Sequence, residues 1–186
     1  DFTRPLHLPE QATAELGFFP GSTIGNMAPA DACDVLRAMR GSLGEGAMLL
    51  IGMDQVKDIA TLTAAYDDAA GVTAAFNLNL LGRINRELDG TIPADRFRHV
   101  VRWNDAAARI ERHLEADADL AFTVAGQSFA MAAGETIHTE NSHIYGPRDA
   151  RLLLATGGWT PKAEWTDPAG LFAVYLAEAR AQPAAP

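Results

Sequence analysis

Thr139-Glu140-Asn141-Ser142 sets a carboxylate and a hydroxyl two residues apart in a stretch that reads as extended. In such a stretch residues i and i+2 lie on one side, so Glu140 and Ser142 point together. A carboxylate beside a hydroxyl can accept from one imidazole nitrogen and donate to the other, which suits recognition of a histidine side chain. The same two groups serve equally well in a cross-strand hydrogen-bonded pair. Asn26 closes Gly21-Ser22-Thr23-Ile24-Gly25 and brings an amide donor and a carbonyl acceptor to a turn whose glycines let a ligand approach the backbone. It is a binding residue or a turn and cap Asn. Asp54, after an apolar run, reads first as the N-cap of a following helix and second as a ligand-facing carboxylate. Tyr66-Asp67-Asp68 with Gly71 and Thr73 collects a phenol, two carboxylates and a hydroxyl at a helix-to-helix junction. Such a loop could clamp a zwitterion, although helix-end charges, a half-buried ring and a Thr73 cap account for it as well.

Other candidates are weaker. His138 and His143 flank Glu140, but the spacing H-x-E-x-x-H matches no zinc helix motif and the region is not helical, so no metal is expected. His99 and His113 alternate with charged neighbours and read as surface strand positions. Ser22 directly follows Gly21, which is not the G-x-S-x-G spacing of a nucleophile elbow.

These residues need strands and turns to hold them. Leu16 to Asn26 reads as a short buried strand entering a glycine-rich turn. A helix over about 29 to 43 follows, with Pro29 in its first turn, Ala32, Val35, Leu36, Met39 and Leu43 on one face, and Gly44 or Gly46 ending it. Ala47 to Met53 is an unbroken apolar run, the pattern of a strand covered on both faces. A second helix covers about 56 to 68, and a third starts near Thr73 with Phe76, Leu80, Leu81, Ile84 and Leu88 inward. After Pro93 the runs shorten and alternate, as in antiparallel strands. A last helix from Pro147 to about Ala155 leads to strands near 162–165 and 171–176. The expected fold is α/β: a Rossmann-like part at about 1–92 and 146–180, with a β-rich insertion at about 93–145. No strand-to-helix turn with the G-x-G pattern that cradles a cofactor occurs in the chain.

Composition narrows the function. The chain has 186 residues, 48% of them hydrophobic, enough for a real core. A formal net charge of -9 disfavours nucleic acid, because no Lys/Arg cluster is available to replace phosphate counterions. A small or cationic ligand suits this balance. The single Cys33 excludes an internal disulfide and fits a reducing cytoplasm. No apolar run reaches the roughly 18 to 20 residues that span a bilayer, and the opening residues carry no signal-peptide pattern, so neither membrane nor secretion is expected. The chain opens on Asp1 rather than Met and reads as a piece of something longer. Oligomeric state is open.

Phe18-Phe19-Pro20-Gly21-Ser22-Thr23-Ile24-Gly25-Asn26, Gly52-Met53-Asp54 with Lys57-Asp58, and Ala64 to Asn77 resemble the histidine-specific Nα-methyltransferases of ergothioneine synthesis. Asn79-Leu80-Leu81, Ile84-Asn85-Arg86-Glu87-Leu88, Arg109-Ile110-Glu111, Gly134-Glu135-Thr136-Ile137 and Thr139-Glu140-x-Ser142 continue the likeness in order over nearly the whole chain. The resemblance implies the C-terminal portion of a class I methyltransferase domain using S-adenosyl-L-methionine. It also implies an upstream half that carries the glycine-rich loop. Asp1 and Phe2 would contact adenine, and Gly21 would offer its backbone to the cofactor's methionine moiety. Asn26 and Tyr66 would hold the acceptor's α-carboxylate and amino group, while Thr73, Glu140 and Ser142 would line an imidazole pocket. Two places differ from the family pattern. Arg112 stands where an apolar residue usually follows Ile-Glu, and His143-Ile144 replace Tyr-Lys before Tyr145. The competing reading is a non-catalytic amino-acid or betaine-binding module.

Overall fold

A computed structural model describes Arg4, Leu6, Leu8 and residues 15–181. In chain order the first elements are β1 (Leu16–Phe19), α1 (Pro29–Leu43), β2 (Met48–Asp54), α2 (Ile59–Tyr66) and α3 (Val72–Glu87). Five strands follow: β3 (Phe97–Asn104), β4 (Arg109–Ala116), β5 (Leu120–Val124), β6 (Gln127–Met131) and β7 (Thr136–His143). Helix α4 (Pro147–Thr156) and strands β8 (Trp159–Thr166) and β9 (Phe172–Ala179) close the chain.

The chain divides into two compact units, one made of residues up to Lys57 and from Ser142 onward, the other of Asp58–Asn141. The first holds a four-stranded sheet in the order β1-β2-β9-β8. β1 and β2 are parallel, with Leu16 opposite Met48 and Phe19 opposite Ile51. That pairing requires a crossover, and α1 provides it. Pro29 in the first turn of α1 lacks only an N–H that the helix start would leave unpaired, and Gly44 at φ 83° ends the helix. β9 runs antiparallel to both β2 and β8. It returns through a turn in which the Asp167 carboxylate accepts N–H bonds from Ala169, Leu171 and Phe172. Leu36, Leu49, Ile51, Met53, Leu154, Trp159 and Tyr175 are fully buried and form this unit's core. The Trp159 indole N–H also donates to the Leu36 carbonyl at 2.9 Å.

The second unit packs α2 and α3 on β3 and β4. Its strands form a three-stranded sheet, β3-β4-β7, and a hairpin, β5-β6, in which Phe122 faces Phe129. Leu81, Ile92, Phe97, Leu114, Ala116 and Phe122 are the buried core. The Asn85 side chain bonds both the N–H and the carbonyl of Ile92 at 2.8 Å, fixing the exit from α3. Helices α2 and α3, expected from the sequence in the part ending near residue 92, therefore group with the β-rich unit.

Several local expectations change: of the residues expected inward on α3, Phe76, Leu80 and Leu88 are exposed while Leu81 is fully buried, and Leu16 and Phe18 of the strand expected buried are exposed. Asp54 is not a helix N-cap: it ends β2, and Asp58 caps α2 by accepting from the Thr61 N–H at 2.8 Å. Thr73 does not cap α3, because Asp68 accepts from the Val72 and Thr73 N–H groups at 3.0 and 2.8 Å. His113 is buried rather than on the surface. Its neighbour on the strand face, Glu111, takes the charged contacts. Among the described residues no helix is long and apolar enough to cross a membrane.

Candidate functional site

In open α/β sheets ligands gather beyond the carboxyl ends of the strands. At that end of β1 the backbone turns left-handed at Gly21 (φ 73°) and Ser22 (φ 56°) and enters a 3-10 turn over Thr23–Asn26. A left-handed φ at a non-glycine residue costs roughly 1–2 kcal/mol. Ser22 offsets it, since its buried hydroxyl accepts the Asp54 N–H at 2.9 Å and ties the end of β1 to the end of β2. Gly25 packs flat on the backbone of His143, where a Cβ would come within 2.7 Å of the His143 carbonyl. The buried His143 ring returns the contact, its Nδ1 lying 3.0 Å from the Gly25 carbonyl. A carbonyl only accepts, so Nδ1 carries the proton. The result is a rigid turn that leaves Gly21 and Asn26 exposed.

The end of β7 and the residues after it run beside the ends of β1 and β2. Ser142 is buried, Tyr145 donates its N–H to the Asp54 carbonyl at 3.2 Å, and Gln55 bridges Tyr145. The Asp54 carboxylate pairs with Lys57 at 2.6 Å, both side chains being no more than 13% exposed, and Lys57 also donates to the Leu171 carbonyl at 3.3 Å. This is a largely buried ion pair at the C-terminal end of β2. Asp54 thus serves to hold the β2–α2 connection.

In the second unit Tyr66 ends α2 and is anchored through its backbone. His99 Nε2 donates to the Tyr66 carbonyl at 3.0 Å, which leaves Nδ1 to accept from the buried Asn77 amide at 3.0 Å. Asn77 also reaches the His113 carbonyl at 3.3 Å. Glu140, on β7, forms an ion pair with Arg112 of β4. Arg112 lies over the Phe76 ring at 5.9 Å, and Thr139 donates its hydroxyl to the Arg112 carbonyl at 2.9 Å. Burial lowers the Arg112 guanidinium from its ordinary value, while its electrostatic interaction with Tyr66 acts in the opposite direction. Thr73 bonds Asp68 through both side chain and backbone, and these bonds bring the Asp68 carboxyl down to about 2.

Gly21, Asn26 and Ser142 belong to the first unit, and Tyr66, Thr73 and Glu140 to the second. Asp1 and Phe2 lie outside the described residues. Sequence reasoning missed Ser22, His143, Asn77 and His99 as positioning groups and missed Arg112 as the partner of Glu140. The available signals were the replacement of Tyr by His143 and of an apolar residue by Arg112. The H-x-E-x-x-H residues do not converge: His143 is committed to Gly25 and Glu140 to Arg112. Glu111, His113 and His138 instead bring one ligand atom each within 4.8 Å of the others. The two rings stack at 4.6 Å with 17° between planes, so an ion lying in the plane of one ring would sit well out of the plane of the other. Desolvation lowers His113 below the usual imidazole value, and its rise on bonding Glu111 only partly offsets this.

Comparison with known proteins extends the likeness. A family profile described as histidine-specific methyltransferase, SAM-dependent, matches residues 1–179. Proteins named histidine N-alpha-methyltransferase from Mycolicibacterium smegmatis and Mycobacterium tuberculosis are each 42% identical over 95% of the chain and 56% of their own length. The chain thus spans little more than half of these curated relatives. The structure of the CcbJ methyltransferase from Streptomyces caelestis shares the fold, with a TM-score of 0.50 at 14% identity over 97% of this chain and 62% of that one. With a sheet of methyltransferase type and a profile match running almost end to end, the chain belongs to the family of histidine-specific, S-adenosylmethionine-dependent methyltransferases.

Proposed function

We propose that the complete protein transfers a methyl group from S-adenosyl-L-methionine to the α-amino nitrogen of histidine or a related amino acid. This chain supplies most of the acceptor-binding surface and part of the cofactor cradle. The observation that carries the reading is the fixed turn at the end of β1: Ser22, Gly25 and His143 hold it so that Gly21 and Asn26 face outward. Gly21 fits the cofactor role, because its φ is 73° and a Cβ at this position would meet only the Thr23 hydroxyl, 4.0 Å away, which leaves the backbone accessible. Asp1 and Phe2 complete the proposed cofactor contacts. S-adenosyl-L-methionine, when bound, supplies the electrophilic sulfonium methyl.

The chain's own residues bind and align the acceptor. The Asn26 amide donates to the α-carboxylate and, with the Tyr66 hydroxyl, orients the amine lone pair, free once the ammonium has given its proton to solvent, toward the methyl carbon; the new C–N bond forms as the C–S bond breaks, and S-adenosylhomocysteine leaves. Glu140 accepts the imidazole N–H, the Ser142 hydroxyl donates to the other ring nitrogen, and Thr73 lines the same pocket. Holding two reactants in contact and alignment supplies about 7–11 kcal/mol of the barrier reduction, which makes positioning the chief task of these residues. The reading takes a cytoplasmic setting, in keeping with a single free Cys33.

The test is transfer by the complete protein from methyl-labelled donor to a panel of amino acids, read by mass spectrometry. Label on the α-nitrogen of histidine is the expected result. Label on a different acceptor overturns the substrate, and uptake without transfer points to an amino-acid or betaine-binding module.

A further inference from the structure

A half-buried carboxylate that receives an imidazolium needs no other partner. One that receives a neutral imidazole has its charge uncompensated unless the protein supplies a cation. Glu140 has such a cation. Its side chain is 29% exposed and is paired with Arg112, itself 13% exposed, from the neighbouring strand. Arg112 is held from a second direction by the Phe76 ring at 5.9 Å and is therefore not a loose surface charge. Glu140 and Phe76 line one open cleft of about 200 Å³ together with Asn77, Leu80, Arg83 and Thr139. The further cation on that wall, Arg83, is matched by Glu87 at 3.2 Å. Each charge on this wall is thus cancelled by a neighbour, and the cleft presents a carboxylate whose negative charge is already spent.

We propose that Arg112 is a specificity-determining residue: by holding Glu140 it makes the acceptor pocket electrically neutral, so that uncharged acceptor side chains are accepted and cationic ones rejected. The inference rests on the reading that Glu140 faces the acceptor side chain. An apolar residue at position 112 would leave Glu140 as a bare carboxylate, matched to the imidazolium form of histidine or to another cation rather than to a neutral ring.

The experiment is calorimetry on the complete protein with S-adenosylhomocysteine present, at about pH 8, where the imidazole of free histidine is neutral because its value lies near 6.5. Histidine is compared with two short cationic amino acids, lysine and 2,4-diaminobutyrate, for the wild type, Arg112→Leu and Arg112→Lys. The expected result is that Arg112→Leu raises the affinity for the cationic ligands relative to histidine at least about tenfold, while Arg112→Lys keeps the wild-type ratio. Arg112→Gln replaces the leucine variant if a thermal melt shows that one unfolded. Histidine binding with an unchanged ratio overturns this inference and leaves the proposed substrate standing. A folded leucine variant that loses histidine binding tenfold with no gain in affinity for either cationic ligand also overturns it, since Arg112 would then contact the acceptor directly. If no amino acid binds any form, the inference and the reading it rests on both fall.

Discussion

Ser22 shows how much of the site depends on one hydroxyl. Replacing it with Ala strands the Asp54 N–H, a part-buried donor that now bonds at 2.9 Å, and is expected to cost about 1 kcal/mol or somewhat more in urea unfolding. Ser22→Gly loses the same bond but relieves the φ of 56°, so its cost should be smaller by about 1 kcal/mol. Equal losses would show that backbone strain plays no part. Glu111 gives a pH prediction. The Asn104 amide is the largest of the hydrogen bonds that bring its carboxyl from 4.5 to about 2, against the opposing effect of burial. Because the folded value is the lower one, the stability it contributes is complete above about 4.5 and is lost as pH falls from there through about 2. Glu111→Gln should flatten that part of a plot of urea midpoint against pH, and an unchanged slope would assign the acid limb elsewhere. Glu140, Ser142 and Asn26 were legible in the sequence as candidates only, because their residue types and spacing suggest binding before any fold is known; their binding roles are the proposal. Arg112 and His143 were not legible as partners, because each acts on a group brought close only by strand pairing or by a return of the chain.

At the scale of elements, α1 was recoverable to the residue: its apolar positions repeat at the helical period and Pro29 and Gly44 bracket it. Leu36 on its inner face is fully buried, and its carbonyl receives the Trp159 indole. Leu36→Ala is expected to cost about 2–5 kcal/mol by leaving a cavity, measurable as a shift in denaturant midpoint with little change in slope. A loss below about 1 kcal/mol would mean that α1 collapses onto the gap. β2 was equally clear from its unbroken apolar run. β8 was seen only in part, since Pro161 and the polar residues Thr160, Lys162 and Glu164 hide an eight-residue strand behind a pattern of low hydrophobicity. The placement of β9 between β2 and β8 is a non-local pairing, and no periodicity within a single segment encodes it. Asp68 took the capping role expected of Thr73 because Gly71, at φ 70°, bends the chain so that a carboxylate three residues earlier reaches the first free N–H groups of α3.

For the whole molecule, among the described residues the sheet of the first unit presents β1 as an outer strand on which Leu16 and Phe18 are 60% and 68% exposed. An apolar outer strand is a template for association. Residues 1–186 expressed alone are therefore expected to self-associate at micromolar concentration in light scattering, and Phe18→Lys should suppress this. A monodisperse wild-type chain would contradict it. The chain is proposed to carry the histidine-binding surface of a methyltransferase. The most direct test is calorimetric titration of the complete protein with histidine in the presence of S-adenosylhomocysteine, repeated with Glu140→Ala. Histidine is expected to bind, and the substitution to weaken it by about 1.5–3 kcal/mol, the loss typical of a charge-assisted hydrogen bond. Undiminished binding by the variant, or a wild-type protein that takes up another amino acid and not histidine, would contradict it.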